Sequence, residues 1–148
     1  MTIVVDASVA VKWLVTEDDS TAAVRLCALP LAAPDLLSAE VASIMWKKVR
    51  RGEVTPAIAQ AALLVLAEMG IGLVPGSRLA GKALSLACEL DHSPYDMFYV
   101  ALAIERDIPL VTADNRLINK VQQVGFGWAR LVTPLTESKP GAFAPSLS

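Results

Sequence analysis

Histidine and cysteine are nearly absent from this chain: of 148 residues, one is histidine (His92) and two are cysteine (Cys27 and Cys88). Any histidine-dependent triad would have to be built on His92 alone. That residue sits at a helix start, where a capping-region or surface role is the simpler expectation. The two cysteines lie in apolar, helical contexts and are expected to be free buried thiols of a cytosolic protein rather than a disulfide. No glycine-rich phosphate loop follows the first apolar run, because Asp6-Ala7-Ser8-Val9 contains no glycine, which disfavours nucleotide cofactors. No apolar stretch reaches the roughly 20 residues that a membrane-spanning helix needs; one of the longest is bracketed by Gln60 and Glu68. The segment Met1-Thr2-Ile3-Val4-Val5-Asp6 lacks a basic start and carries an acid inside its apolar run. A secretory leader is therefore not expected, and a cytoplasmic location is. Charge is scarce as well. A net charge of −2 leaves no overall footprint for nucleic acid, so any basic binding surface must be local.

What is present is apolar and regularly punctuated. Hydrophobic residues make up 54% of the chain and the mean hydropathy is +0.49. Those values point to elements buried on both faces, in one domain large enough for a real core. Short apolar strands are expected at residues 2–5, 31–33, within 70–74, at 108–111 and around 130–133. Helices are expected at 8–15, up to 29, from Asp35 or Ser38 to Arg51, at 57–69, from Pro75-Gly76-Ser77 to 90, from Ser93-Pro94 to about 104, and at 115–124. Strands alternating with helices, without hairpin signals or internal repeats, favour an α/β fold with a parallel sheet covered on both faces. The domain is expected to span residues 1–134. Residues 135–148, with Pro140, Gly141, Pro145 and three serines, read as a loose tail.

Four acids stand where this pattern would place apolar residues or simple caps. Ligands of an open parallel sheet gather outside the carboxyl ends of its strands, and Asp6 and Asp114 close the first and fourth strands. Each could equally cap the helix that follows. Glu40 falls on an apolar stripe, with Leu36, Leu37, Ser43 and Ile44 at three and four residues and no Lys or Arg to pair with it. Such a carboxylate is costly unless it is paired, bound to a metal, or at the stripe's edge in water. Asp96 fits a capping box, Ser93-Pro94-Tyr95-Asp96, yet its neighbours Tyr99, Val100 and Ala103 are apolar. Brought together at one end of the sheet, four carboxylates would repel, and a divalent cation is the natural counter-charge. Oxygen ligands suit Mg²⁺ or Mn²⁺ rather than zinc, and such an ion can activate a water against a phosphodiester, with a second ion stabilising the leaving oxygen. Lys47, Lys48, Arg50 and Arg51 cluster near the end of the helix that carries Glu40. They either complement the helix C-terminus or form a rim for RNA phosphates. Lys12 and Arg116 lie close in sequence to the acids and could serve the same purpose.

These residues carry a resemblance. Val4-Val5-Asp6-Ala7-Ser8, Pro34 with Ser38-Ala39-Glu40-Val41, Ser93-Pro94-Tyr95-Asp96 with Ala101-Leu102-Ala103, and Leu110-Val111-Thr112-Ala113-Asp114 follow one another in the order and spacing of a PIN-domain ribonuclease. The chain resembles in particular the VapC toxins of toxin–antitoxin pairs, over roughly residues 2–134. The resemblance implies a three-layer fold with a central parallel five-stranded sheet flanked by helices. It further implies Mg²⁺- or Mn²⁺-dependent endonucleolytic cleavage of RNA that inhibits translation, neutralised by a cognate antitoxin. Asp6, Asp96 and Asp114 would hold the metal, and Glu40 would be a ligand or orient the attacking water. Ser8, Thr112 and Asn115 would support them. Some family members carry a further acid two residues after the position of Asp114; here that residue is Arg116, which implies one metal held firmly and a second recruited with substrate. Homodimers formed through apolar helices are common in the family, and the segment from Ala57 to Met69 with the helix before it could supply that surface and an antitoxin groove, unless it is ordinary core. A non-catalytic PIN-like module that binds RNA or protein is the alternative, and four concentrated negative charges argue against it. A phosphatase-like site is a further alternative, but it would prefer an acid two residues after Asp6, where Ser8 stands.

Overall fold

A computed structural model describes residues 1–138 and Phe143 of the chain. Among these residues the elements run β1 (Ile3–Val5), α1 (Ala7–Leu14), α2 (Ser20–Leu26), β2 (Leu31–Pro34), α3 (Leu37–Arg50), α4 (Pro56–Glu68), β3 (Gly72–Val74), α5 (Gly76–Leu90), α6 (Pro94–Arg106), β4 (Leu110–Thr112), α7 (Asn115–Val124) and β5 (Val132–Pro134). Single 3₁₀ turns flank β5 at Gly127–Leu131 and Leu135–Glu137. The five strands form one sheet in the order β3-β2-β1-β4-β5, and every pairing is parallel. The sequence pattern leads to the same α/β architecture.

Alternation along the central strands makes two cores. Val4 and Leu110 face one side of the sheet, packed with Leu37, Val41, Leu66, Leu79, Leu86 and Leu102 from α3 to α6. Ile3, Val5 and Val111 face the other, against Val9, Ala23, Leu26, Leu135 and Phe143. Both faces of each central strand are thus dry, which accounts for the uninterrupted apolar runs. Strand order reverses between β1 and β4, which lie side by side with Val5 opposite Val111. The carboxyl ends of those two strands flank the crevice where open α/β sheets place their ligands.

Three expectations need correction or limits. Asp35 does not open α3; it reaches across the sheet edge, and its Oδ1 accepts the Gly76 amide at the start of α5 (2.9 Å). A β-carbon on Gly76 would stand 3.1 Å from that oxygen, so glycine permits the approach. Cys27 and Cys88 are free but exposed rather than buried, because Cys27 is the C-cap just past α2 and Cys88 lies outside the buried stripe of α5. Of the expected tail, Leu135 and Phe143 are buried in the second core; residues 139–142 and 144–148 lie outside the described residues.

Candidate active site

Asp6 follows β1 directly and is the N-cap of α1. Its position one residue past the strand puts the carboxylate at the switch point, 6% exposed. Two hydroxyls and one amide hold it there. Ser8 Oγ donates to Oδ1 (2.5 Å), Thr112 Oγ1 donates to Oδ2, and the Val9 amide donates to Oδ1 (3.2 Å). Both hydroxyls are themselves fixed, Ser8 by the Ala113 amide (2.9 Å) and Thr112 by the Asp114 amide (3.0 Å). The end of β1 is thereby laced to the end of β4. Asp114 caps α7, accepting the amides of Arg116 (2.9 Å) and Leu117 (3.4 Å) through Oδ1. Asn115 is exposed at the first position of that helix.

Asp96 and Glu40 reach the same end of the sheet from α6 and α3. Ser93 caps α6 by accepting the Tyr95 amide (3.3 Å). Asp96 does not complete the expected capping box; its Oδ2 lies 2.7 Å from His92 Nε2 instead. The His92 amide donates to the Ala87 carbonyl (3.2 Å), closing α5, and Asp91 makes the turn with φ 50°. That closure aims the imidazole at Asp96, and the contact is attractive when Nε2 carries the proton. Glu40 Oε1 accepts the phenol of Tyr99 (2.6 Å). A cavity of about 360 Å³ is lined by Asp91, His92, Ser93, Asp96, Asp114 and Arg116. It brings together two of the expected acids, with Asp6 and Glu40 outside its lining. His92 and Tyr99 are the residues that sequence reasoning missed. A lone histidine at a helix start and a tyrosine on an apolar helix carry little signal; the one usable hint was an acid four residues after the histidine.

Burial dominates the electrostatics. It pushes Asp6 up to about 6 against the lowering effect of Ser8, Thr112 and the Val9 amide, and the Asp96 charge adds to the rise. Burial also raises Glu40, with Tyr99 opposing and the Asp96 charge reinforcing. It raises Asp96, with His92 opposing and the Asp114 charge reinforcing. The Tyr99 phenol is driven far above its ordinary value, first by burial and then by Glu40, Asp6 and Asp96, so it stays a donor. Asp6, Glu40 and Asp96 are all held above their ordinary values, chiefly by burial.

The expected basic residues divide. Glu17 ties Lys12 (3.3 Å) to Lys48 (2.6 Å), and Lys48 also meets Glu53 (3.2 Å). Those two lysines strap the loop after α1 to α3 and are not free for phosphate. Burial alone would raise the Glu17 carboxyl, yet Lys48 and then Lys12 hold it below its ordinary 4.5. Its stabilising effect is therefore complete above that value and lost in acid. Glu17→Gln is expected to cost about 1 kcal/mol at pH 7, read as a fall in melting temperature of roughly 2–4 °C that vanishes well below pH 4. Lys47, Arg50 and Arg51 line a surface pocket with Trp46, and the Arg50 guanidinium lies 4.9 Å from the centre of the Trp46 ring. Arg116 alone of the expected basic residues lines the acidic cavity.

The four acids suit a hard divalent ion, because their donors are all carboxylate oxygens. Among the described residues no three His, Cys, Asp or Glu side chains stand close enough to hold an ion as placed. Binding therefore requires the carboxylates to draw closer together. Asp96 Oδ1, Asp114 Oδ2 and Glu40 Oε2, which have no protein donor among the described hydrogen bonds, are the atoms free to meet an ion.

A parallel sheet of order β3-β2-β1-β4-β5, covered on both faces and carrying acids at its switch point, defines a three-layer α/β protein with a polar site at the carboxyl edge. The sequence model of the PIN domain family matches residues 3–123, and the chain belongs to that family. Ribonuclease VapC1 of Mycobacterium tuberculosis is 37% identical over 87 residues, which make up 57% of this chain and 63% of that protein. The match thus spans less than two thirds of the relative's length. PAE2754 of Pyrobaculum aerophilum superimposes with a TM-score of 0.66 at 21% identity, covering 92% of this chain and 90% of that one. A toxin–antitoxin complex from Klebsiella pneumoniae gives 0.60 at 15% identity, covering 90% and 97%. These two likenesses concern the fold.

Proposed function

We propose that the protein is a metal-dependent endoribonuclease, the toxin of a type II toxin–antitoxin pair, which cleaves RNA in the cytoplasm and so inhibits translation. One observation carries the proposal: Asp6 at the end of β1 is laced through Thr112 to the Asp114 turn after β4, and Asp96 and Asp114 line one cavity, at the switch point of a PIN fold. A module that only bound RNA would gain nothing from concentrating negative charge where phosphates approach. The relative named a ribonuclease and the neighbour named a toxin–antitoxin complex support the same reading.

Asp96, Asp114 and Asp6 would hold Mg²⁺, or Mn²⁺ in its place, with Glu40 as a further ligand or as the group that orients the attacking water. When bound, the ion supplies a water activated for in-line attack on a phosphodiester. Ser8 and Thr112 hold Asp6 by hydrogen bonds, and Asn115 follows Asp114 as the exposed first residue of α7. Arg116, on the cavity wall, would meet the phosphate next to the cut, and Lys47, Arg50 and Arg51 would bind RNA farther along α3. No helix among the described residues is long and apolar enough to cross a membrane. The outer face of α4 exposes Ile58, Leu64 and Val65 by 50, 70 and 53%, which supports a homodimer formed there. Met45, Trp46, Val49, Ala59 and Leu63 line a groove of about 310 Å³ between α3 and α4, which supports docking of an apolar antitoxin segment.

The test is metal removal. Purified protein incubated with total bacterial RNA and Mg²⁺ is expected to generate discrete new 5′ ends, and excess chelator is expected to erase them. Cleavage that persists in chelator would overturn the metal assignment. No cleavage of tRNA, rRNA or mRNA with either ion would favour the non-catalytic module.

A further inference from the structure

We infer that Tyr99 is a positioning residue for Glu40: its phenol holds one carboxylate oxygen so that the other faces the acidic site. The inference rests on the proposed metal site and deepens it. Tyr99 is 1% exposed, the largest side chain among the fully buried ones, and it lies on α6 three residues after Asp96, so both project from one helical face. From there its O–H crosses to α3 and meets Glu40 Oε1 at 2.6 Å. Glu40 Oε2 has no protein donor among the described hydrogen bonds. The contact joins α3 and α6, the two helices that carry Glu40 and Asp96.

Alternatives for Glu40 are poor. No cation pairs with it among the described residues, so without the phenol its side chain is free to rotate toward water over the half-exposed start of α3. The phenol O–H donates to Glu40 Oε1, so it acts on the site through that carboxylate. The design is that of a ligand oriented by a donor behind it, an arrangement whose loss typically costs 10–100-fold in metal affinity or activity.

The experiment is a double-mutant cycle on metal binding, read without RNA. Mn²⁺ affinity is measured by paramagnetic resonance titration for wild type, Tyr99→Phe, Glu40→Gln and the double variant, with circular dichroism confirming the fold of each. Tyr99→Phe keeps the ring and its packing and is expected to weaken Mn²⁺ binding about tenfold. The double variant is expected to bind no worse than Glu40→Gln, because the phenol acts only through that carboxylate. Cleavage kinetics should show kcat falling about as far as the affinity, with KM for RNA unchanged. Wild-type affinity in Tyr99→Phe, or losses that add in the double variant, would overturn the assignment. Mn²⁺ binding that follows the cycle in a protein that cuts no RNA would remove the nuclease reading and leave the role of Tyr99 standing. A wild-type protein that binds no Mn²⁺ would overturn both.

Discussion

Asp96→Asn is expected to fold, to bind Mn²⁺ at least tenfold more weakly, and to lose RNA cleavage by roughly a thousandfold, about 4 kcal/mol of transition-state stabilisation. The substitution is nearly isosteric, and an amide oxygen can still accept from His92, which now sits 2.7 Å from Oδ2. Packing of α6 should therefore survive; its buried residues, Met97, Tyr99, Val100 and Leu102, are untouched. What disappears is a negative charge on the wall of the cavity that also presents Asp114 and Arg116. An amide cannot replace that charge as a ligand for a hard cation. The measurement is 5′-end mapping of cellular RNA after inducible expression of wild type and variant, with Mn²⁺ titration of the purified proteins. Undiminished cleavage by the variant removes Asp96 from the site.

The second large effect is an inversion. Asp6→Asn is expected to abolish cleavage and to stabilise the ion-free protein at neutral pH. Burial lifts Asp6 from 3.8 to about 6 in the folded chain, so the folded state binds its proton more tightly than the unfolded state does. The favourable contribution is complete below pH 3.8, declines as pH rises toward 6, and is gone above it. The difference of about two pKa units corresponds to roughly 3 kcal/mol. Wild type and variant should unfold together near pH 3.5. At pH 8 in chelator the variant should melt about 6–12 °C higher. That figure is an upper bound, because an amide replaces only part of the lattice with Ser8 and Thr112. Saturating Mn²⁺ should raise the melting temperature of wild type at pH 8 and leave the variant unmoved. Thermal unfolding in chelator across pH 4–8 checks the sign. Parallel curves for the two proteins would show that Asp6 is not strained in the fold.

Those two expectations share a cause. On the proposed reading, a site that would take up a divalent ion accumulates negative charge in a poorly solvated crevice, and the fold would carry that cost until the ion arrived. Hydroxyls at Ser8 and Thr112, a phenol at Tyr99 and an imidazole at His92 each lower the cost for one carboxylate without neutralising it.

Local chemistry in the sequence was sufficient for the elements and for a parallel sheet covered on both faces, though not for the order of its strands. Ile3-Val4-Val5 and Leu110-Val111 are apolar on both faces and end in acids, which identifies buried parallel strands with polar carboxyl ends. Thr55-Pro56 and Ser93-Pro94 start helices, as expected of an N-cap followed by proline. Strand and helix periods are properties of neighbouring residues, so they can be read without the fold. The acids at positions 6, 40, 96 and 114 stood out for the same reason, as charges in apolar surroundings. Their partners did not. Ser93 and Asp96 have the spacing of a capping box, yet Asp96 turns to His92 because the closure of α5 brings the imidazole within reach. Tyr99 meets Glu40 across 59 positions of sequence, and Asp35 caps a helix 41 positions away. Lys12 and Lys48, free cations on paper, are occupied by Glu17. By itself the sequence determined which segments are buried and where acids interrupt them, because burial follows local pattern. Only the tertiary structure decided which donor each carboxylate meets and how far its proton affinity moves, because both depend on short distances between residues far apart in the chain.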